Sequence, residues 1–267
     1  MATDSAVARL AIAGDLAFAV TFGGTLHIFG IEDKDGPHRV GAMPTDDAVR
    51  GIAIDGDLAY LAAGADGFQV LDVSNRNAPR KLAELPTSAM ATDLVAQGKL
   101  IYLATEEGLE VVDTSAHTEP RVIGRLQLQA IDPRVALQDG YVLLLTFDQG
   151  LSVIDVSNPA LPRQVGALRL PGSRGIAVSD GHAFIVYNPG VLCIVDLSQP
   201  EQPRIIAEIH TPEAAIDIVV EGERAYVASY SSGLWVADVS DPSRPRAVGA
   251  LRLPGMACLA IKGKTLV

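Results

Sequence analysis

The chain is one unit written over and over. Asp72, Asp113, Asp155, Asp196 and Asp238 follow one another at alternating steps of 41 and 42 residues, and Gly30 holds the same place one step earlier. Seven residues after each stands a proline: Pro37, Pro79, Pro120, Pro162, Pro203 and Pro245. A second landmark keeps the same period, the glycines Gly14, Gly56, Gly98, Gly140, Gly181, Gly222 and Gly263. A repeat of this length marks a supersecondary unit that can bury its apolar faces only against its own neighbours. That limits the fold to solenoids, propellers and related arrays.

The interior of the repeat selects among them. In the second copy the runs at 51–56, 58–64, 67–74 and 79–86 are short, apolar and bounded by Gly or Pro, which is the pattern of strands joined by tight turns. The glycine after the first run suits a two-residue hairpin that needs a positive φ. No 3.6-residue period appears. Four short strands per repeat predict a propeller blade. The expected fold is therefore all-β, a β-propeller of four-stranded blades forming a single domain. Complete repeats fall at about 7–45, 46–87, 88–128, 129–170, 171–211 and 212–253, with a partial seventh at 254–267. That surplus reads as the start of a seventh blade in a truncated seven-bladed propeller; a six-bladed propeller with a surplus hairpin is the alternative. The stretch VGALRLPG occurs at both 165–172 and 248–255, making the fourth and sixth repeats the closest kin.

Composition bears on partners. At 267 residues and 48% apolar the chain can build a sizeable core. Its net charge of −11 opposes a nucleic-acid partner, since such binding rests on Lys and Arg neutralising phosphates. No stretch is long and apolar enough to insert in a membrane. The first twenty residues lack a basic leader, and Asp15 interrupts them, so they do not read as a signal peptide. Cys193 and Cys258 allow at most one bridge and have no metal-ligand spacing.

The runs VLDVSNRNAPR (70–80), VIDVSNPALPR (153–163) and VADVSDPSRPR (236–246), with the turn glycine and the strand AYVA (225–228), resemble LVIVD repeats. The resemblance extends from residue 7 to residue 267, and the first copy departs most, with IFGIEDKDG in place of the Asp-Val-Ser core. It implies a bacterial or archaeal propeller, often part of a larger surface or exported protein, hence an extracellular or cell-surface setting. It brings no shared catalytic residues.

Recurrence separates scaffold from site. Residues present in every repeat are expected to be structural. The five Asp before the proline turns should cap loop N–H groups. The Arg after each proline (Arg80, Arg121, Arg163, Arg204, Arg246) should guard an outer strand and bridge to a turn Asp. Phe18, Tyr60, Tyr102, Phe184 and Tyr226 should pack between blades. Residues leading into the first strand vary instead: Arg9, Arg50, Asp93, Arg134, Arg174, Asp217 and Cys258. If the first strands line the propeller axis, these residues ring one mouth of it. Arg50, Asp93, Arg134, Arg174 and Asp217 are thus the candidate ligand-binding residues, with the planar Arg forks suited to a carboxylate or phosphate. Mutual Arg–Asp pairing around the rim is the competing expectation.

Other motifs fail. GKT at 263–265 lacks the distal glycine of a phosphate loop, Cys258 standing there. Glu32, Asp33 and Asp35 form an acidic turn without the distal Glu of a calcium loop. The five His are scattered, and Ser173 and His182 lie at opposite ends of one run. No catalytic residue, metal or cofactor is expected. The expected role is a non-enzymatic binding or scaffold module that meets a protein partner or a small anionic ligand. The alternative is a hydrolase or lyase acting on an acidic sugar or other carboxylate, with Asp93 or Asp217 as base.

Overall fold

The computed structural model describes residues 3–32, 36–45, 49–253, 255–256, 258–262 and 265–267. Asp33, Asp35 and Gly263, singled out in the sequence, lie outside the described residues. The structure is all-β, with six four-stranded antiparallel sheets in chain order, the blades of a β-propeller.

The chain divides into two compact units, residues 1–129 with Val267 and residues 130–266. The first unit holds three blades. Blade 1 is β1 (Val7–Ala13), β2 (Leu16–Thr21), β3 (Thr25–Gly30) and β4 (His38–Pro44). Blade 2 is β5 (Gly51–Asp55), β6 (Leu58–Ala62), β7 (Phe68–Asp72) and β8 (Arg80–Leu85). Blade 3 is β9 (Ala91–Gln97), β10 (Leu100–Thr105), β11 (Gly108–Asp113) and β12 (Arg121–Gln127).

The second unit holds three more. Blade 4 is β13 (Arg134–Gln138), β14 (Tyr141–Thr146), β15 (Gly150–Asp155) and β16 (Arg163–Arg169). Blade 5 is β17 (Ser173–Ser179), β18 (His182–Tyr187), β19 (Val191–Asp196) and β20 (Arg204–His210). Blade 6 is β21 (Ala215–Glu221), β22 (Arg224–Ser229), β23 (Gly233–Asp238) and β24 (Arg246–Leu251). A two-stranded ladder follows, β25 (Ile261–Lys262) with β26 (Thr265–Leu266).

Hairpin chemistry sets the register. The turn between first and second strands is Gly14-Asp15, Gly56-Asp57 and Gly98-Lys99 in blades 1 to 3, with the glycine first at φ near 60°. In blades 4 and 5 it becomes Asp139-Gly140 and Asp180-Gly181, both residues at positive φ. These are two solutions to the same need for a left-handed turn. The switch moves the glycine by one place within the turn.

The core lies between blades. Phe18, Val20 and Ile28 of blade 1 bury against Ala59, Leu61 and Leu71 of blade 2. Tyr60, Phe68 and Val70 then meet Leu94, Ile101 and Leu103 of blade 3. In the second unit Leu143, Leu151 and Leu170 of blade 4 meet Ile185, Cys193 and Val195 of blade 5. Phe184, Leu192 and Ile194 face Ile218, Val227 and Trp235 of blade 6. Of the aromatics expected between blades, Phe18, Tyr60 and Phe184 lie in these shared layers, while Tyr102 is buried and Tyr226 half-buried. Neither cysteine forms a disulfide, and burial pushes the Cys193 thiol up to about 12.

The outer turns are clasped as expected. Asp72, Asp113, Asp155, Asp196 and Asp238 each accept the N–H of the Ser two residues on, at 2.8–3.0 Å. Arg80, Arg163 and Arg204 then donate two N–H groups to the same carboxylates at 2.7–3.1 Å. In blade 6 Arg224 takes this role at 2.9 Å, and Arg246 stands 3.9 Å off. In blade 3 Arg121 turns to Glu119 at 3.4 Å.

Hydrogen bonds from the serines, then the Arg partners, hold Asp72, Asp155 and Asp196 at about 2. A carboxylate held low in the folded state contributes stability that is complete above its unfolded value and is lost as pH falls through the folded one. Thermal unfolding should therefore lose Tm between about pH 4 and pH 2. Asp155→Asn with Asp196→Asn keeps the N–H acceptors but removes the charges. That variant should melt below the parent at pH 7 and converge with it near pH 2; a constant gap would refute the linkage.

Candidate functional site

The residues ahead of the first strands occupy two different register positions. Pairing with the second strands aligns Arg9 opposite Val20, Gly51 opposite Ala62 and Asp93 opposite Ala104. In the second unit it aligns Arg134 opposite Leu145, Gly175 opposite Val186 and Asp217 opposite Ala228. Each unit thus reads Arg, Gly, Asp at one equivalent place. Arg50 and Arg174 stand one residue earlier. In β1, β9, β17 and β21 that earlier place is a bulge, holding Ala8, Thr92, Arg174 and Ile216. A bulge re-aims one side chain and ends regular pairing.

The glycines are required by their neighbours. A Cβ on Gly51 would lie 2.8 Å from the Asp93 Cα, and one on Gly175 would lie 3.1 Å from the Asp217 Cα. First strands of consecutive blades within a unit approach closely there, so a side chain at Gly51 would force a shift and one at Gly175 would press on its neighbour. An Asp in the third blade of each unit therefore goes with a glycine in the second.

The charged groups are engaged differently. Arg9 Nη1 donates to its neighbour's carbonyl, Ala8 O, at 3.1 Å. Arg50 is exposed, and its backbone N–H bonds to Ala62 O at 2.8 Å. Asp93 is half-buried against Gly51, where a Cβ would also lie 3.1 Å from the Asp93 Oδ1. Arg134 Nη1 pairs with Asp132 Oδ1 at 3.2 Å. Asp217 accepts the N–H of Ile218 at 3.0 Å through Oδ1 and the N–H of Leu259 at 2.9 Å through Oδ2. Its carboxylate is a clasp for the segment after blade 6, which leaves little of it for proton abstraction. Cys258, beside that clasp, is half-buried.

Arg174 is engaged by an aromatic ring. Its guanidinium lies 4.9 Å from the ring centroid of Phe147, which follows β14 of blade 4. Contact with the ring face restrains the guanidinium without using its N–H donors. The first unit carries the same residue types. Thr21-Phe22 matches Thr146-Phe147, and Arg50-Gly51-Ile52-Ala53 matches Arg174-Gly175-Ile176-Ala177. Phe22 is 62% exposed. This longer echo, spanning three repeats, is visible in the sequence once the strands are aligned; a search for a single period passes over it.

A second variable position was missed. The middle of the third strand carries His27, Gln69 and Glu110 in the first unit, and Ser152, Cys193 and Trp235 in the second. Glu110 is buried, taking Arg125 Nε at 2.9 Å and the Ser88 N–H at 3.1 Å on Oε1. His27 meets Asp4 at 3.1 Å. The alternation L-x-V, L-x-I or, in blade 2, F-x-V was the available signal, since x is the one unconstrained letter in each of these triplets.

Grooves also recur between blades of the second unit. One of about 240 Å³ is lined by Gln138, Asp139, Gly181, Ser198 and Pro200. Another of about 380 Å³ is lined by Ser179, Asp180, Gly222, Ser240 and Pro242. They are the same place one blade apart, which marks them as products of the repeat. Ser173 donates to Leu170 O and His182 meets Asp180 O, so these two serve separate turns. Among the described residues no group of three His, Cys, Asp or Glu could hold a metal ion, and no helix is long and apolar enough to cross a membrane.

The LVIVD repeat model matches residues 47–82, 88–127, 133–168, 172–211 and 213–251. No curated protein matches the chain. Among solved structures it is similar to a functionally unknown protein from Desulfotomaculum acetoxidans, at 13% identity and TM-score 0.77, covering 94% of this chain and 86% of that one. It is similar to BamB from Moraxella catarrhalis at 14% identity and TM-score 0.67, covering 98% and 80%. It is also similar to the computationally designed Ika8 protein at 11% identity and TM-score 0.75, covering 99% and 80%. At such identities the likeness is one of fold.

The close approach at the glycines gives a direct test. Gly51→Ala forces a Cβ onto the neighbouring backbone, and overpacking of this kind costs roughly 1–3 kcal/mol. Its Tm should drop, while Gly56→Asn, in an open turn at positive φ with nothing within 4 Å, should change it far less. Equal losses would show that the approach of the first strands is not what the glycine serves.

Proposed function

We propose, on the premise that the chain belongs to the LVIVD repeat family, that it is a non-enzymatic binding module whose ligand is a small anion or an anionic group on a protein partner. The observation that carries this reading is the Arg174 guanidinium held over the Phe147 ring, its Cζ 4.9 Å from the centroid. A guanidinium so restrained has less freedom to lose on binding and presents a fork suited to carboxylate or phosphate. Arg50 is the corresponding residue of the first unit by sequence register, as the exposed Phe22 corresponds to Phe147. Arg134 and Asp132 supply an ion pair in the blade before Arg174. Asp93 and Asp217 serve the backbone and the approach of the first strands.

The family resemblance supports a place within a larger exported or surface protein; fractionation of the source cell tests that part separately. An axial enzyme would need a free base, and the engagement of Asp217 by two N–H groups favours the binding reading over it.

Thermal unfolding against a panel of carboxylates, phosphates and acidic sugars tests the site. A ligand that binds only the folded state at a hundredfold over its Kd adds roughly 2.7 kcal/mol, a shift easily read. Arg174→Gln should abolish the shift, and Phe147→Leu should weaken it, each with an unchanged melting temperature in plain buffer. A flat panel, or a shift that survives Arg174→Gln, would overturn the assignment.

A further inference from the structure

One octapeptide in this chain is seen both covered and bare. Val-Gly-Ala-Leu-Arg-Leu-Pro-Gly occurs at 165–172, where it forms the end of the fourth strand of blade 4 and its exit, and at 248–255, where residues 248–251 end the fourth strand of blade 6. The backbones agree. The Gly172 N–H bonds to Phe147 O at 2.7 Å and the Gly255 N–H to Tyr230 O at 2.8 Å, with φ of 89° and 90°. Gly150 and Gly233, opposite these strands, are flanked by matching atoms of the two exits.

The cover does not agree. Leu170 is 4% exposed, and Leu253, its twin, is 45% exposed. Gly166 lies under the proline turn of blade 5, where a Cβ would collide with the Pro200 carbonyl and lie 3.1 Å from Pro203 Cδ. A Cβ on Gly249 would meet nothing within 4 Å. Val165 and Leu168 pack into the core between blades 4 and 5, whereas Val248 and Leu251 are 51% and 54% exposed. In the first unit Gly41 repeats the covered case, beneath the Arg76 carbonyl of blade 2. The carbonyl of a following proline turn over this glycine is therefore a recurring blade-to-blade contact.

The inner edge of the same face is already closed. The Leu259 N–H reaches Asp217 Oδ2 at 2.9 Å from 42 residues away, one repeat. Leu259 buries with Ala228 and Leu234. Among the described residues the outer part stays open, an apolar patch of Val248, Leu251 and Leu253 with half-buried Val236 beside it. Contiguous apolar surface of this kind marks an interaction site.

We infer that this outer face of blade 6 is a docking surface for an LVIVD-type hairpin: a third and fourth strand joined by a proline turn whose carbonyl seats over Gly249. The covered twin shows what such a partner looks like, because the hairpin that covers Gly166 is β19 with β20. Specificity resides in the bare glycine, which admits a backbone and excludes a side chain.

The test uses the whole chain and a labelled synthetic peptide of residues 190–211. The peptide should bind, and Gly249→Val should reduce its affinity by tenfold or more while leaving the Tm of the free chain unchanged, since the new side chain points into open space. An isolated hairpin is marginal in water, so a second arm appends residues 185–211 after Val267. Docking then reads as a higher Tm and weaker binding of a hydrophobic dye, both reversed by Gly249→Val. Gly166→Val, at the covered twin, should lower Tm in the unextended chain. Failure of both arms to respond, equal behaviour of Gly249→Val and parent, or a concentration-dependent dimer that cross-links through residue 249 would overturn the inference.

Discussion

Everything in this protein depends on one blade lying against the next. A four-stranded antiparallel sheet of this composition has two apolar faces, and neither can be satisfied within the sheet. Phe18 is buried because Leu61 and Leu71 cover it, and Leu143 because Ile185 and Val195 do. Each such side chain stabilises by roughly 1.5–3 kcal/mol when removed from water, and several of them meet at each of these seams. The turns, clasps and glycines are the means by which successive sheets reach that contact in register.

The first strands of neighbouring blades also approach closely, and that approach constrains which residues can stand there. Gly51 and Gly175 leave room for the backbone at Asp93 and Asp217. In the blades that carry these glycines, charge enters the crowded line only one residue earlier, on Arg50 and Arg174. The variability seen along the first strands is thus constrained rather than free. A change at one blade has a permitted counterpart one blade away, and the two units meet that condition with the same residue types.

Much of the fold was legible because it rests on residues that must recur. Turn glycines need positive φ, the turn Asp needs a following N–H, and the proline follows at a fixed distance; each leaves a mark repeat after repeat, the Asp in every one but the first. The predicted strands of blade 2 differ from the observed ones by one or two residues at their ends. The candidate site was less legible, because its residues occur once or twice. Sequence spacing placed Arg50 and Arg174 in line with Arg9, Arg134 and the two Asp. Strand pairing sets them one residue earlier, at Arg174 on a bulge, and a bulge has no sequence signature of its own. The contact of Arg174 with Phe147 joins residues of different blades, which spacing alone does not bring together. The buried polar residues His27, Gln69 and Glu110 sat within apolar runs and were passed over for that reason.

Cys193 gives this architecture a built-in clock. Its thiol lies wholly within the layer between blades 4 and 5, and burial holds it protonated. Thiol chemistry needs the exposed thiolate, so reagent can reach this sulfur only when that layer parts. The rate of its alkylation is therefore the opening rate of a single seam, or its opening equilibrium where reclosing is faster than reaction. One sulfur atom in the native sequence thus converts the cohesion between two neighbouring sheets into a quantity read with a stopwatch.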